Sequence, residues 1–166
     1  MRYLNLLLIL LSVFPFSSCT RRAQEAGEYN DIIITRQKNI IASFDRFDST
    51  FVDSIANEDQ IDFAFVDMQS NVKRSLLALD SIGPFNNDPL LEVAARELFH
   101  TYEDLIETEY RTLKDIKLMP TQNITGAIVD SSYAVQVRIH DRSKMAQEKF
   151  LLTQEEFGKK YNLVFE

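Results

Sequence analysis

Between Glu58 and Ile82, large apolar side chains fall at Ile61, Phe65, Met68, Val72, Leu76 and Leu79. Steps of three and four residues keep these on one face of an α-helix, whereas a strand, with its period of two, would split them between two faces. The pattern recurs along the rest of the chain. Ile33, Ile40, Phe44, Phe47, Phe51 and Ile55 predict a helix over 29–56. Leu91, Ala94, Leu98, Tyr102, Leu105, Leu113 and Ile116 predict another over 89–117. Ile128, Val135, Ile139, Ala146, Phe150, Phe157 and Tyr161 predict the last, over 125–161. Helical faces of this kind must be buried against one another, which makes 29–166 an all-α, antiparallel four-helix bundle.

The breaks between stripes agree with that reading. Four Gly and four Pro in 166 residues leave little opportunity for tight turns. The sharpest punctuation is Gly83-Pro84-Phe85-Asn86-Asn87-Asp88-Pro89. Gly83 suits a helix C-cap, Pro84 stops continuation, and Asp88 is the expected N-cap ahead of Pro89 at the first helical position. Leu118 to Asn123 is the next loop, with Thr125 as the expected cap beyond it. The polar corner Asn57-Glu58-Asp59 is weaker, and allows two antiparallel helices or one bent one. Val135 to Ile139 alternates locally like a strand, but the longer helical period outweighs it.

Ahead of the bundle, Met1 to Cys19 has a separate character. Arg2, the apolar run Leu4 to Phe14 and the small-residue end Ser17-Ser18-Cys19 make an export signal too short to span a bilayer. Ser17-Ser18-Cys19 resembles the lipobox of bacterial lipoproteins, although Phe16 stands where an aliphatic residue is usual. The resemblance implies a signal peptide over 1–18 and a lipidated Cys19 as the first mature residue. The alternative is a conventionally cleaved secreted chain. A diacylglyceryl cysteine would supply two acyl chains, the number that stable anchoring takes. Thr20 to Glu28, polar and without apolar periodicity, reads as a tether reaching about 30 Å when extended.

Charge limits the partners. Without residues 1–18 the chain carries 17 Lys and Arg against 25 Asp and Glu, a net of −8. Basic residues stand together only in pairs, at Arg21-Arg22, Lys73-Arg74 and Lys159-Lys160, so nucleic acid is not an expected partner. The expected partners are the membrane, through the lipid, and another envelope protein. The place expected is the cell envelope: the outer membrane, a periplasm-facing membrane or the cell surface. With one cysteine no internal disulfide can form.

Motifs for chemistry are sparse. Glu97 and His100 stand three apart on one helix, the spacing of a di-iron Glu-x-x-His element, but the second such element is absent and His140 has Val137 three residues before it. A simpler metal- or small-molecule-binding site could use His100 with Glu97, Glu103 or Asp104. The competing reading makes these surface charges paired at helical spacing. No Cys-x-x-Cys-His, no Gly-x-Ser-x-Gly elbow and no Gly-rich phosphate loop occurs. The expectation is a protein that is no enzyme, needs no cofactor and acts by binding.

Tyr29-Asn30-Asp31 soon after the cysteine, the Ile- and Phe-rich first helix and the closing Glu156-Phe157-Gly158-Lys159-Lys160-Tyr161-Asn162 together resemble a family of small exported lipoproteins of Bacteroidetes type. Its members carry helical domains with no assigned activity. The resemblance implies a helical bundle on the cell envelope and transfers no catalytic residue.

Overall fold

A computed structural model describes residues 16–163 of the chain, and side chains from Arg21 to Leu163. The apolar run Leu4 to Phe14 and the last residues Val164 to Glu166 lie outside the described residues. Helix α1 spans Phe16–Val52 and α2 spans Glu58–Ile82. Helix α3 spans Leu90–Leu105, runs on through a π-helical turn at Ile106–Tyr110, and continues as α4 over Arg111–Lys117. A 3₁₀ turn at Thr121–Asn123 leads into α5, Gly126–Tyr161. Four rods result, and no strand occurs among the described residues. α1 packs along α2, α2 along α3 and α3 along α5, while α1 meets α5 only sparingly.

The expected all-α bundle is therefore present, and its first two helices are separate. At the corner between them, the Asp53 carboxylate accepts a 3.0 Å bond from the Ile55 N–H. Asn57 then forms a capping box: its side chain accepts from the Gln60 N–H, and its own N–H donates to the Gln60 side chain, both at 2.9 Å. Two orphan donors of the new helix are satisfied reciprocally, so the chain restarts there.

Two expectations need correction. Thr20 to Glu28 is not an extended tether but part of α1. Ala26 is completely buried, and Arg21 with Glu25 (2.9 Å) and Gln24 with Glu28 (3.0 Å) pair at helical spacing. Helix-compatible pairs and one apolar contact suffice where nothing breaks the helix. The expected helix over 89–117 is also interrupted by the π turn, whose extra residue brings Ile106, Glu109 and Tyr110 inward together. At its start, Pro89 occupies the cap position, and Asp88 serves from one residue earlier by accepting the Leu90 N–H at 3.2 Å. Thr125 stands at the N-cap of α5 in extended geometry, without a side-chain cap bond.

The core has two aromatic centres. Near the start of α1, Tyr29 packs on Phe85 and Phe157, with Tyr161 against both Phe85 and Phe157. The Tyr29 hydroxyl donates to the Gly83 carbonyl at 2.8 Å. Gly83 has φ 58°, a left-handed value that favours glycine, and its N–H caps Leu79. Toward the end of α1, Phe44 and Phe47 meet Tyr102, Tyr110 and Phe65. Between the two centres, Gln154 donates to Asn30 at 2.7 Å, a buried link from α5 to α1.

Phe47→Ala should lower unfolding free energy by about 3–5 kcal/mol in urea titration, the usual cost of emptying a core aromatic site. Phe63→Ala, on a side chain 73% exposed, should change it by about 0.5 kcal/mol or less.

Candidate functional site

Of the site residues expected from sequence, Cys19 lies in the first turns of the α1 backbone, and its side chain is outside those described. His100 Nδ1 lies 3.0 Å from Glu103 on the exposed side of α3. Glu97 turns away to Lys149 of α5 at 2.5 Å, and Asp104 pairs with Arg142. The four candidates are thus divided among three ion pairs. Among the described residues, no three His, Cys, Asp or Glu side chains converge as metal ligands would. Glu97, His100 and Glu103 are engaged in pairs of this kind.

One charge pair at the core had not been anticipated. Glu109, only 7% exposed, accepts from Arg142 Nη1 through both oxygens, at 3.0 and 2.9 Å. Arg138 lies 3.8 Å away, and the Thr108 hydroxyl also donates to Glu109. Burial pushes the Glu109 carboxyl up, but the Thr108 and Arg142 bonds outweigh it and hold the group below its ordinary range. An ionised Glu109 kept in place by its partners is a structural bridge from the π turn to α5.

The more open chemistry lies where α1 and α5 stand apart. A slot of about 500 Å³ runs between them, with Tyr110 and Leu113 contributed by the π turn and α4. From α1 it is lined by Ile41, Phe44, Asp45, Asp48, Phe51 and Val52. Below Phe44, the ring of Tyr102 is wholly enclosed, its hydroxyl beside Gln147 and Gln37 without a hydrogen bond of ordinary geometry. Burial raises the Tyr102 pKa, and those two amides pull it back. Tyr110 is raised as well, by burial first and then by the charges of Asp48 and Asp45.

Asp48 is the perturbed carboxylate of the slot. Part of its surface remains accessible, yet protein crowds it closely enough that burial, followed by the Asp45 charge, pushes its pKa up to about 6. No cation offsets either cause. The opposite wall brings His140 and Lys144, but Lys144 leans toward Glu148 at 4.0 Å. On the other side of Asp45 a second hollow, of about 630 Å³, opens between α1 and α2 beside Arg46, Ser49, Asn57, Gln60 and Phe63.

Both hollows sit at the end of the bundle remote from Cys19, because that residue lies in the first turns of α1 and the helix ends at their rim. Exposed apolar side chains collect there: Val52 (77%), Ile55 (86%), Phe63 and Tyr133 (71%). Sequence periodicity could not single out Asp45 or Asp48, since a polar residue between stripe positions looks the same whether it faces water or a slot.

Asp48 holds its proton more tightly folded than unfolded, so stability should fall as pH rises from its ordinary value of 3.8 to about 6, with the full cost present above that. Asp48→Asn should therefore unfold at higher urea than the parent at pH 7.5, and the difference should vanish near pH 4. A difference independent of pH would contradict this account of Asp48.

Compared with models of protein families, with curated proteins and with solved structures, the chain matches none.

Proposed function

We propose that this chain is a lipid-anchored, non-enzymatic binding protein of the cell envelope. Cys19 holds it to the membrane, and the free end of the bundle receives a partner. The anchor reading rests on the run Leu4 to Phe14 ahead of Ser17-Ser18-Cys19 and on the resemblance of that segment to a lipobox. The signal segment is removed on this reading, and no described helix is long and apolar enough to cross a membrane, so the acyl chains carry the attachment.

One observation supports the binding reading most directly: the slot between α1 and α5, with its apolar rim, at the end of the molecule opposite the anchor. From Cys19 to Val52, α1 extends about 50 Å at 1.5 Å per residue. A partner would meet that end first. The non-enzymatic reading rests on the sequence, which has no nucleophile elbow, no phosphate loop and no paired histidine motif.

In a bacterial host fed a fatty-acid analogue, the parent chain should be labelled and sediment with membranes, and Cys19→Ser should lose both properties. Unchanged labelling of Cys19→Ser would remove the anchor. For the binding end, a photo-crosslinker at Tyr133 should trap an envelope partner that the same group at Leu77, also exposed, on α2, does not. Equal trapping at both positions would count against a localised surface.

A further inference from the structure

The slot has walls of a particular kind. On α1, Ile41, Phe44, Asp45, Asp48, Phe51 and Val52 recur at three and four residues, so one continuous helical face forms that wall. On α5, Gln136, Ile139, His140, Ser143, Lys144 and Gln147 repeat the same spacing and form the other. Each wall spans twelve residues, about 17 Å, or three helical turns. Val129 and Tyr133 continue the α5 face outward, exposed, past the point where α1 has ended. Two helices that flank a shallow apolar floor over three turns leave the space of a missing neighbour. The surrounding bundle already fills equivalent spaces with helices.

Charge narrows what the neighbour carries. From Asp45 to Asp62 the chain places six carboxylates against Arg46 alone. Three cations are drawn to this end and have partners there: Arg46 pairs with Asp67, Lys114 with Asp62, and Lys117 donates to the Asp53 carbonyl. Asp45 and Asp48 face the slot side by side, without a cation between them. His140 and Lys144 on the facing wall make the opposite flank neutral to basic.

We propose that the slot between α1 and α5 binds a short amphipathic helix of a partner protein, about three turns long, with an apolar seam against Phe51, Val52 and Ile139 above the buried floor of Tyr110 and Leu113, and with Arg or Lys on the flank toward Asp45 and Asp48. The mode is helix-in-groove recognition, with anchors at i, i+3, i+4 and i+7. The acidic stretch around the slot accelerates encounter and selects the basic flank. This occupant rests on the reading that the free end of the bundle is a binding surface.

The test uses the full mature chain purified from membranes in mild detergent. The probe is a helical peptide of about 15 residues with leucines at i, i+4, i+7 and i+11 and arginines along one side of that stripe. A tryptophan in the peptide reports binding cleanly, since the chain contains none. The striped peptide should bind, and salt should weaken it. Asp45→Asn with Asp48→Asn, and separately Gln136→Arg on the exposed lip, should each weaken it about tenfold or more, with thermal melts showing the variants folded. No binding, equal binding of a scrambled peptide, or equal binding when glutamates replace the arginines would overturn the proposal. Binding of phenethylammonium alone, lost in the aspartate variants, would also overturn it in favour of a small cation. If crosslinking through Tyr133 traps a partner while the striped peptide fails to bind, the helical occupant falls and the binding surface stands.

Discussion

Asp88 is the residue on which one end of this bundle closes. A single carboxylate accepts the Leu90 N–H at 3.2 Å, Lys160 at 2.8 Å and the Tyr161 hydroxyl at 3.1 Å. It thereby starts α3 and fastens the end of α5 to the same point. Those bonds, the Lys160 bond foremost, hold it below its ordinary range although burial works the other way. The loop that carries it is shaped by left-handed backbone at Gly83, Asn86 and Asn87, and Tyr29 reaches across from α1 to the Gly83 carbonyl. Phe85 fills the space between. All four rods meet around one loop, and the hollow beside Arg22, Lys160 and Tyr161 there, about 270 Å³, is smaller than either one at the other end. At the other end no such loop crosses from α1 to α5. Fold and candidate site are linked by that asymmetry.

Much of the fold was legible in the stripes, because burial of large apolar residues at a 3.6-residue period dominates the free energy of a bundle and leaves its mark directly in the sequence. What the stripes concealed lay in their gaps. Between Leu105 and Leu113 the expected position is occupied by Glu109, and between Ile139 and Ala146 by Arg142. A charged residue in a buried row needs a partner, and these two are each other's partner across α3 and α5. Gaps in two stripes filled by opposite charges are a sequence signal in their own right. The buried Gln154, in the gap between Phe150 and Phe157, meets Asn30 in the same way. The π turn at Ile106–Tyr110 leaves no comparable mark in the stripes.

The correction at Thr20 to Glu28 has a mechanical consequence. A polar tether would let the domain wander up to about 30 Å from its attachment point. Nine residues in a helix reach only about 14 Å, and do so as a stiff rod. Leu163, just past α5, lies over the open face of Gly27 and is partly buried against the core, so it braces this part of α1 as well. Local polarity suggested a flexible linker because its stabilising contacts are few: one buried alanine, two side-chain pairs, Arg22 over the Tyr161 ring at 5.8 Å, and one leucine from a distant part of the sequence. Tertiary contacts of that kind are invisible to periodicity.

Stiffness then bears on the slot. α1 carries, near its start, the residue proposed to bear lipid, and runs without a break into the wall that holds Asp45 and Asp48. An anchored chain built this way does not present its free end at every angle and height. The rod sets the distance, about 50 Å along its axis, and the neighbouring helices fix how the slot is turned about that axis. Asp48 lowers stability once it is ionised, because protein crowds it and the Asp45 charge stands beside it. A partner carrying positive charge removes the penalty, so the same feature that weakens the isolated bundle favours the complex.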